Sequence, residues 1–157
     1  MDSELVYDFA VESLFHGVGK RMTPALKEKL RALGVDPDRK LLPAYPRDLW
    51  VRVVAVVARE LGGENAVEAH RALGASMVHG FAKTTLGVVM KPAVSLMGVR
   101  RLLLRLPRNL SMSTNYLKVT VQERGPQAMR VELSHDAPSP DFVAGVIEEM
   151  ARYAGAK

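Results

Sequence analysis

The chain has 157 residues, a formal net charge of +5, 48% hydrophobic residues and 25% charged residues. This length and balance predict one globular domain spanning residues 1–157, and they exclude a disordered or fibrous protein. The absence of cysteine excludes disulfides, thiolate metal sites and thiol nucleophiles, and it favours the reducing cytoplasm as the compartment.

The N-terminal segment is predicted to belong to the folded domain and not to be a targeting signal. Residues 1–9 are acidic where a secretory signal is basic, and no apolar run in the chain approaches the ~18 residues that span a bilayer. Residues 5–15 predict a short strand leading into a helix that ends near Gly17. Thr23 followed by proline predicts the start of a second helix, which Gly34 ends.

The middle of the chain predicts two longer helices. The proline-rich run 41–46 predicts an ordered loop, and residues 47–61 carry the wide apolar stripe of a helix packed on a core. Asn65 caps a periodic stretch, 66–90, that is rich in small residues. Small side chains let another backbone approach closely, so this stretch is predicted to be the central helix, with Pro92 breaking the pattern.

The C-terminal part mixes helix and strand signals. A leucine-rich helix over 102–106 is predicted to stop at Pro107, and alternating β-formers predict an antiparallel hairpin near 115–133. A last helix follows over 141–153. The predicted fold class is therefore α+β, a bundle of about five or six helices packed with a small antiparallel sheet.

Histidine offers no metal-binding pattern. His70 and His79 are nine residues apart on one predicted helix, which places them on opposite faces at 100° per residue. His16 and His135 lie near predicted element ends, with no spacing typical of a metal site. The sequence predicts neither a metal site nor a haem ligand.

Catalytic motifs are also missing. Asp36 and Asp38 flank a proline and predict an Asx-type turn, and Glu148 with Glu149 predicts a solvated helix face. The chain contains no GxSxG, P-loop or GxGxxG pattern. The sequence predicts no catalytic residue and no cofactor, and it favours a non-enzymatic role.

Positive charge is concentrated in one part of the sequence. The chain has no Asp or Glu between Glu68 and Glu123, although many cations lie there. They favour binding to an acidic protein, a membrane surface or nucleic acid, or they simply extend their stems over apolar helix surface. The low aromatic content of 6% argues against binding to nucleic acid, because proteins that bind single strands usually stack the bases on aromatic side chains. The candidate patch consists of Lys91, Arg100, Arg101, Arg105 and Arg108.

Several runs together resemble an uncharacterised family of unknown function that is expanded in myxobacteria. The resemblance covers nearly the whole chain and rests on residues 11–15, 23–26, 41–46, 108–110 with 115–116, and 142–148. That family is distantly similar to the superfamily of haem nitric-oxide-binding domains, 4-vinyl-reductase-type domains and TRAPP vesicle-tethering subunits.

The resemblance implies an α+β sensor or binding module with an apolar pocket, often dimeric, and not an enzyme. The Tyr-x-Ser-x-Arg pattern that haem nitric-oxide sensors use for the propionates is absent, as are the cysteines of other relatives. Members of the resembled family continue beyond the last residues of this chain into another strand pair. The resemblance therefore implies a chain shortened at its C-terminus, with an exposed strand edge open to a partner.

These observations lead to two hypotheses. The first is a regulatory or small-molecule-binding module, with a pocket for a small apolar ligand between the 66–90 helix and the hairpin. The alternative is an interaction protein that binds an anionic partner through the candidate patch. A homodimer or a protein partner is compatible with both.

Overall fold

The computed structural model describes residues 3–134 and 139–157 of the chain. These residues contain eight α-helices and four short strands. His135 and the loop residue Pro138 lie outside the described residues. The α+β fold class is confirmed, with more helices than the five or six predicted. The helices are α1 Asp8–Val18, α2 Pro24–Leu33, α3 Arg47–Gly62, α4 Ala66–Phe81, α5 Thr85–Met97, α6 Val99–Leu104, α7 Leu106–Ser111 and α8 Pro140–Tyr153. The strands are β1 Leu5–Tyr7, β2 Ala44–Pro46, β3 Val119–Gly125 and β4 Ala128–Leu133.

The first sheet joins the N-terminus to the proline-rich run. β1 pairs antiparallel with β2, with Val6 opposite Tyr45, and Val6 also forms a bridge to Thr114. The prediction of a loop over 41–46 is therefore wrong for β2. A three-residue strand carries no periodic signal, and its partner lies far away in the sequence, so only the folded chain brings the two together.

The second sheet is the predicted hairpin, which is confirmed. β3 pairs antiparallel with β4, from Val119 opposite Leu133 to Gly125 opposite Ala128. Residues 115–118 precede the hairpin instead of extending it. The Asn115 side chain there accepts a hydrogen bond from the Leu5 amide (2.7 Å) and donates one to the Ser3 carbonyl (2.8 Å), so it ties this segment to the N-terminus.

The central layer of the fold consists of α4 between α1 and α8, its most extensive helix partners. A methyl group added to Gly80 would overlap the Ser13 carbonyl oxygen of α1, and one added to Gly145 of α8 would overlap the Arg71 carbonyl oxygen of α4. Glycine is needed at both positions because helix backbones touch there. The prediction that small residues mark a central helix is correct for α4.

The predicted 66–90 helix is in fact two helices. α4 ends at Phe81, and the Thr84 hydroxyl then caps α5 by accepting from the Gly87 amide (3.1 Å) while it donates to the Phe81 carbonyl (2.7 Å). This cap starts a new helix in a new direction. Pro92 does not break the pattern as predicted, since α5 continues through it to Met97.

Pro107 does not stop a helix either. It lies in the first turn of α7, a position where proline is tolerated because that N–H has no partner within the helix. The leucine-rich segment is consequently two short helices, α6 and α7, and these breaks account for the additional helices.

Candidate functional site

An apolar cavity of about 150 Å³ lies beside the central layer. It is lined by side chains of β1, α1, α3, α4 and α8 and by side chains of α5, α6 and the segment 109–117. The cavity therefore lies between the packed helices α1, α4 and α8 and the separate helix α5.

Aromatic rings and methionines make up much of the cavity wall. Phe9 of α1 meets Phe81 of α4 edge-on at 6.3 Å between ring centroids, and Trp50 meets Phe142 in the same way at 6.1 Å. Unbranched thioether side chains adapt their shape to irregular space, and four of them line the cavity. They are Met77, Met90, Met112 and Met150.

The polar groups of the wall fall into two classes. The Ser13 hydroxyl donates to the Phe9 carbonyl (2.7 Å), and the Thr114 hydroxyl oxygen accepts from the Leu117 amide (3.2 Å), so both are occupied within the fold. Asn109 and Ser113 also line the cavity, and their side chains make no hydrogen bond to any described residue. The cavity thus has an apolar body, and the Asn109 and Ser113 side chains on one segment are available to a ligand.

The predicted pocket position is correct only in part. The 66–90 stretch does contribute, through Met77 and Phe81 of α4 and Leu86 and Met90 of α5. Of the predicted hairpin, 115–133, only Tyr116 and Leu117 at its start line the cavity, and no residue of β3 or β4 does so. β3 packs instead on α6 and α7.

The histidines that the structure describes lie away from the cavity lining. His79 contacts α8, with Nε2 2.9 Å from a Glu149 carboxylate oxygen and its ring 5.5 Å from that of Tyr153. The His70 ring nitrogen lies 2.7 Å from the Ala66 carbonyl of its own helix. Residues 3–134 and 139–157 contain no group of three or more acidic, histidine or cysteine side chains placed to hold a metal ion.

The five residues of the candidate patch are all exposed and lie on three consecutive elements. Lys91 is on α5, Arg100 and Arg101 are on α6, and Arg105 and Arg108 fall at the start of α7 and within it. Arg100 is paired with Glu123 of β3 at 2.6 Å. The other four form no ion pair with any described residue, so most of this charge is left for solvent or a partner.

The pair Asp36 and Asp38 forms the predicted Asx-type turn. The Asp36 carboxylate accepts from the Asp38 amide (3.0 Å) and lies 3.3 Å from Arg31. The hydrogen bond from Asp38 and the Arg31 guanidinium both lower the pKa of Asp36, and the Glu28 and Asp36 carboxylates raise the pKa of Arg31. These groups stabilise the turn after α2 and lie outside the cavity lining.

The sequence analysis missed the cavity residues Phe9, Trp50 and Phe142. Trp50 and Phe142 lie on predicted apolar helix stripes, but such a stripe is expected whether a side chain meets another side chain or an open space. Leu86, Met90 and Val94 recur every four residues, and this spacing is the signal that could have identified the lining face of α5.

Over the part of the chain that the structure covers, none of the helices combines the length and apolar character that crossing a bilayer requires.

Comparisons with known proteins place the chain among uncharacterised proteins. Residues 4–157 match the family described as "Protein of unknown function (DUF2378)". No curated protein matches. A solved structure described as "Modulating Heme Redox Potential Through Protein-Induced Porphyrin Distortion" is similar with a TM-score of 0.68 and 18% identity, over 94% of this chain and 84% of that one. The predicted resemblance to an uncharacterised family is confirmed, and the likeness to the solved structure concerns the fold.

Proposed function

Because the chain belongs to the DUF2378 family of unknown function, we propose from its own geometry that it is a regulatory module that binds a small, largely apolar molecule. The observation that carries this proposal is the apolar cavity of about 150 Å³ beside α4. An apolar space of this volume accepts molecules of about the size of benzene. The cavity is thus suited to recognition.

The polar side chains narrow the ligand class. Binding pockets usually combine an apolar lining with a few polar groups that fix the orientation of the ligand. Asn109 offers an amide that donates and accepts, and Ser113 offers a hydroxyl. We therefore expect an aromatic or short aliphatic body that carries one polar substituent, held against the segment 109–113.

Haem, the group named for the similar solved structure, does not fit this lining. Haem iron is held by histidine, cysteine, methionine or tyrosine, and the described residues around the cavity include no histidine and no cationic side chain for the propionates. The methionines and Tyr116 offer weaker ligands, but about 150 Å³ is well below the roughly 300–1,000 Å³ of pockets that hold drug-sized molecules. The proposal therefore concerns a molecule smaller than a porphyrin.

The proposal is tested by filling the cavity. Val146 of α8 lines it, whereas Val56 of α3 is an equally half-buried valine that packs elsewhere on the core. Indole at about a hundredfold excess over its Kd should raise the melting temperature of the wild-type chain by roughly 5–10 °C. Val146→Phe should abolish this shift and Val56→Phe should retain it.

Mass spectrometry of the native purified protein provides a second measurement, since a bound molecule would appear as a mass that denaturation releases. The proposal is wrong if benzene, indole and phenol all leave the wild-type melting temperature unchanged and no small molecule co-purifies. It is equally wrong if Val146→Phe and Val56→Phe respond alike to indole.

A further inference from the structure

The helix α5 is apolar on two sides. At 100° per residue, Leu86, Met90 and Val94 fall within an arc of about 80°, and all three line the cavity. A second arc of about 100°, on the other side of the helix, holds Val88, Val89, Pro92 and Leu96, and all four are exposed. We call this second set the outer face of α5.

The outer face is exposed to an unusual extent for its composition. Val89 and Leu96 are 73% and 88% exposed, and Val88 is 60% exposed. A helix on the surface of a globular protein normally has polar residues on the side away from the core. A contiguous exposed apolar surface marks a site of interaction, so the outer face requires an occupant.

The charged residues within α5 and next to it along the chain are all cations, although Arg100 is paired with Glu123 of β3. Lys83 directly precedes the capping residue Thr84, Lys91 lies on α5 about 60° from Val88 of the outer face, and Arg100 and Arg101 follow the C-terminal end of the helix. No acidic residue occurs from position 69 to position 122. An apolar strip bordered by cations is the pattern of a helix that lies in the interface of an anionic membrane.

We infer that α5 docks on an anionic lipid surface, with Val89 and Leu96 entering the acyl boundary and Lys83, Lys91 and Arg101 contacting lipid headgroups. A second copy of the chain is a poorer occupant, since a twofold contact through the outer face would bring the same cations together without an acidic residue between them. Nucleic acid is also a poorer occupant, because its charged phosphates would gain nothing from contact with the apolar outer face. This inference uses the opposite side of α5 from the proposed cavity ligand and does not depend on it.

The first experiment changes the apolar contact in the full chain. Cosedimentation with vesicles of equal parts phosphatidylserine and phosphatidylcholine should show binding that vesicles of phosphatidylcholine alone do not support. The double variant Val89→Gln with Leu96→Gln should weaken binding at least about tenfold. Leu42→Gln, which changes a leucine that is 60% exposed outside α5, is the matched control and should bind like wild type.

The second experiment removes two positive charges from either of two places, so that the variant and its control have the same net charge. Lys91→Gln with Arg101→Gln should weaken binding about 25-fold, at about fivefold per cation near the surface. Lys20→Gln with Lys40→Gln removes the same charge from exposed positions outside 69–122 and should have little effect. Added salt should weaken wild-type binding in parallel.

Three results would overturn the inference. The first is no sedimentation with phosphatidylserine vesicles, and the second is equal loss of binding in a variant and its matched control. The third is a change from dimer to monomer in the Val89→Gln, Leu96→Gln variant, by light scattering, while vesicle binding stays the same. That third result would assign the outer face to a second copy of the chain.

Discussion

The α1–α4–α8 layer and α5 are both apolar, but they are held in the fold in different ways. In the layer, backbone meets backbone at Gly80 and Gly145, where no additional carbon atom fits. α5 touches the rest of the molecule along one face, and the only residue of α5 that is fully buried is Gly87. The cavity lies between these two regions.

This difference shows that apolar content alone does not determine how tightly a helix is held. Close packing of the layer leaves little room for movement, because interiors of that kind are as dense as organic crystals. α5 has fewer buried contacts, and elements of that kind open at lower free energy than the core. The layer thus forms a rigid side of the cavity, and α5 forms a less tightly held side.

The largest expected effect compares a leucine of the main core with a leucine that lines the cavity. Leu26 of α2 is buried in the main core, and Leu102 of α6 is equally buried but lines the cavity. Replacing either with alanine should reduce the free energy of unfolding by about 2–5 kcal/mol. Benzene should stabilise Leu102→Ala more than Leu26→Ala, because only Leu102→Ala enlarges the cavity that holds the ligand. Urea unfolding with and without benzene measures the difference. Equal rescue of both variants would mean that the cavity is not a distinct site.

A smaller effect is expected from testing the backbone contact in the layer. Gly145→Ala places a methyl group on the Arg71 carbonyl, so α8 has to move away from α4. We expect a loss of about 1–3 kcal/mol, despite the gain of about 1 kcal/mol that alanine normally gives in a helix. Gly125→Ala in the hairpin, where the nearest atom would be 4.0 Å away, is the control. Thermal unfolding that ranks the two variants alike would contradict the close packing of α4 and α8.

The start of α5 should be less sensitive. Thr84→Ala removes the hydroxyl that caps α5 and bonds to Phe81, and helix caps of this kind contribute about 1 kcal/mol. Hydrogen exchange should accelerate in α5 and remain slow in α4. The neighbouring exposed threonine serves as the control through Thr85→Ala. If exchange in both helices accelerated equally, the two regions would open as one unit.

The smallest effect lies outside both regions, at the turn after α2. Because the pKa of Asp36 is lowered in the folded chain, its contribution to stability is complete above its unfolded pKa of about 3.9 and disappears as pH falls through the folded pKa. Asp36→Asn should therefore be less stable than wild type at neutral pH, and the gap should close toward pH ~3. Urea unfolding over this range tests the sign, with the exposed Glu64 changed to glutamine as the control. A gap that widens in acid would contradict the assignment.

The predictions from sequence succeeded where the signal is local. The cap and stop of α2 at Thr23 and Gly34 are present, with the Thr23 hydroxyl accepting from Leu26 and Gly34 in the left-handed conformation. The hairpin also formed as predicted. The predictions that Pro92 and Pro107 end helices were wrong, since Pro92 lies within α5 and Pro107 lies in the first turn of α7. Proline has an effect that depends on its position in a helix, and that position is set by packing around it.

The amino-acid sequence by itself determined the α+β class, the close-packed character of α4 and the acid-free stretch around α5, because these follow from composition and from contacts between neighbours in the chain. The tertiary structure alone decided that β1 meets β2, that a cavity remains between the layer and α5, and that Val89 and Leu96 face outward. Each of these depends on which distant segments come together. A hydrophobic side chain has the same local pattern whether it meets a neighbour, an empty space or water.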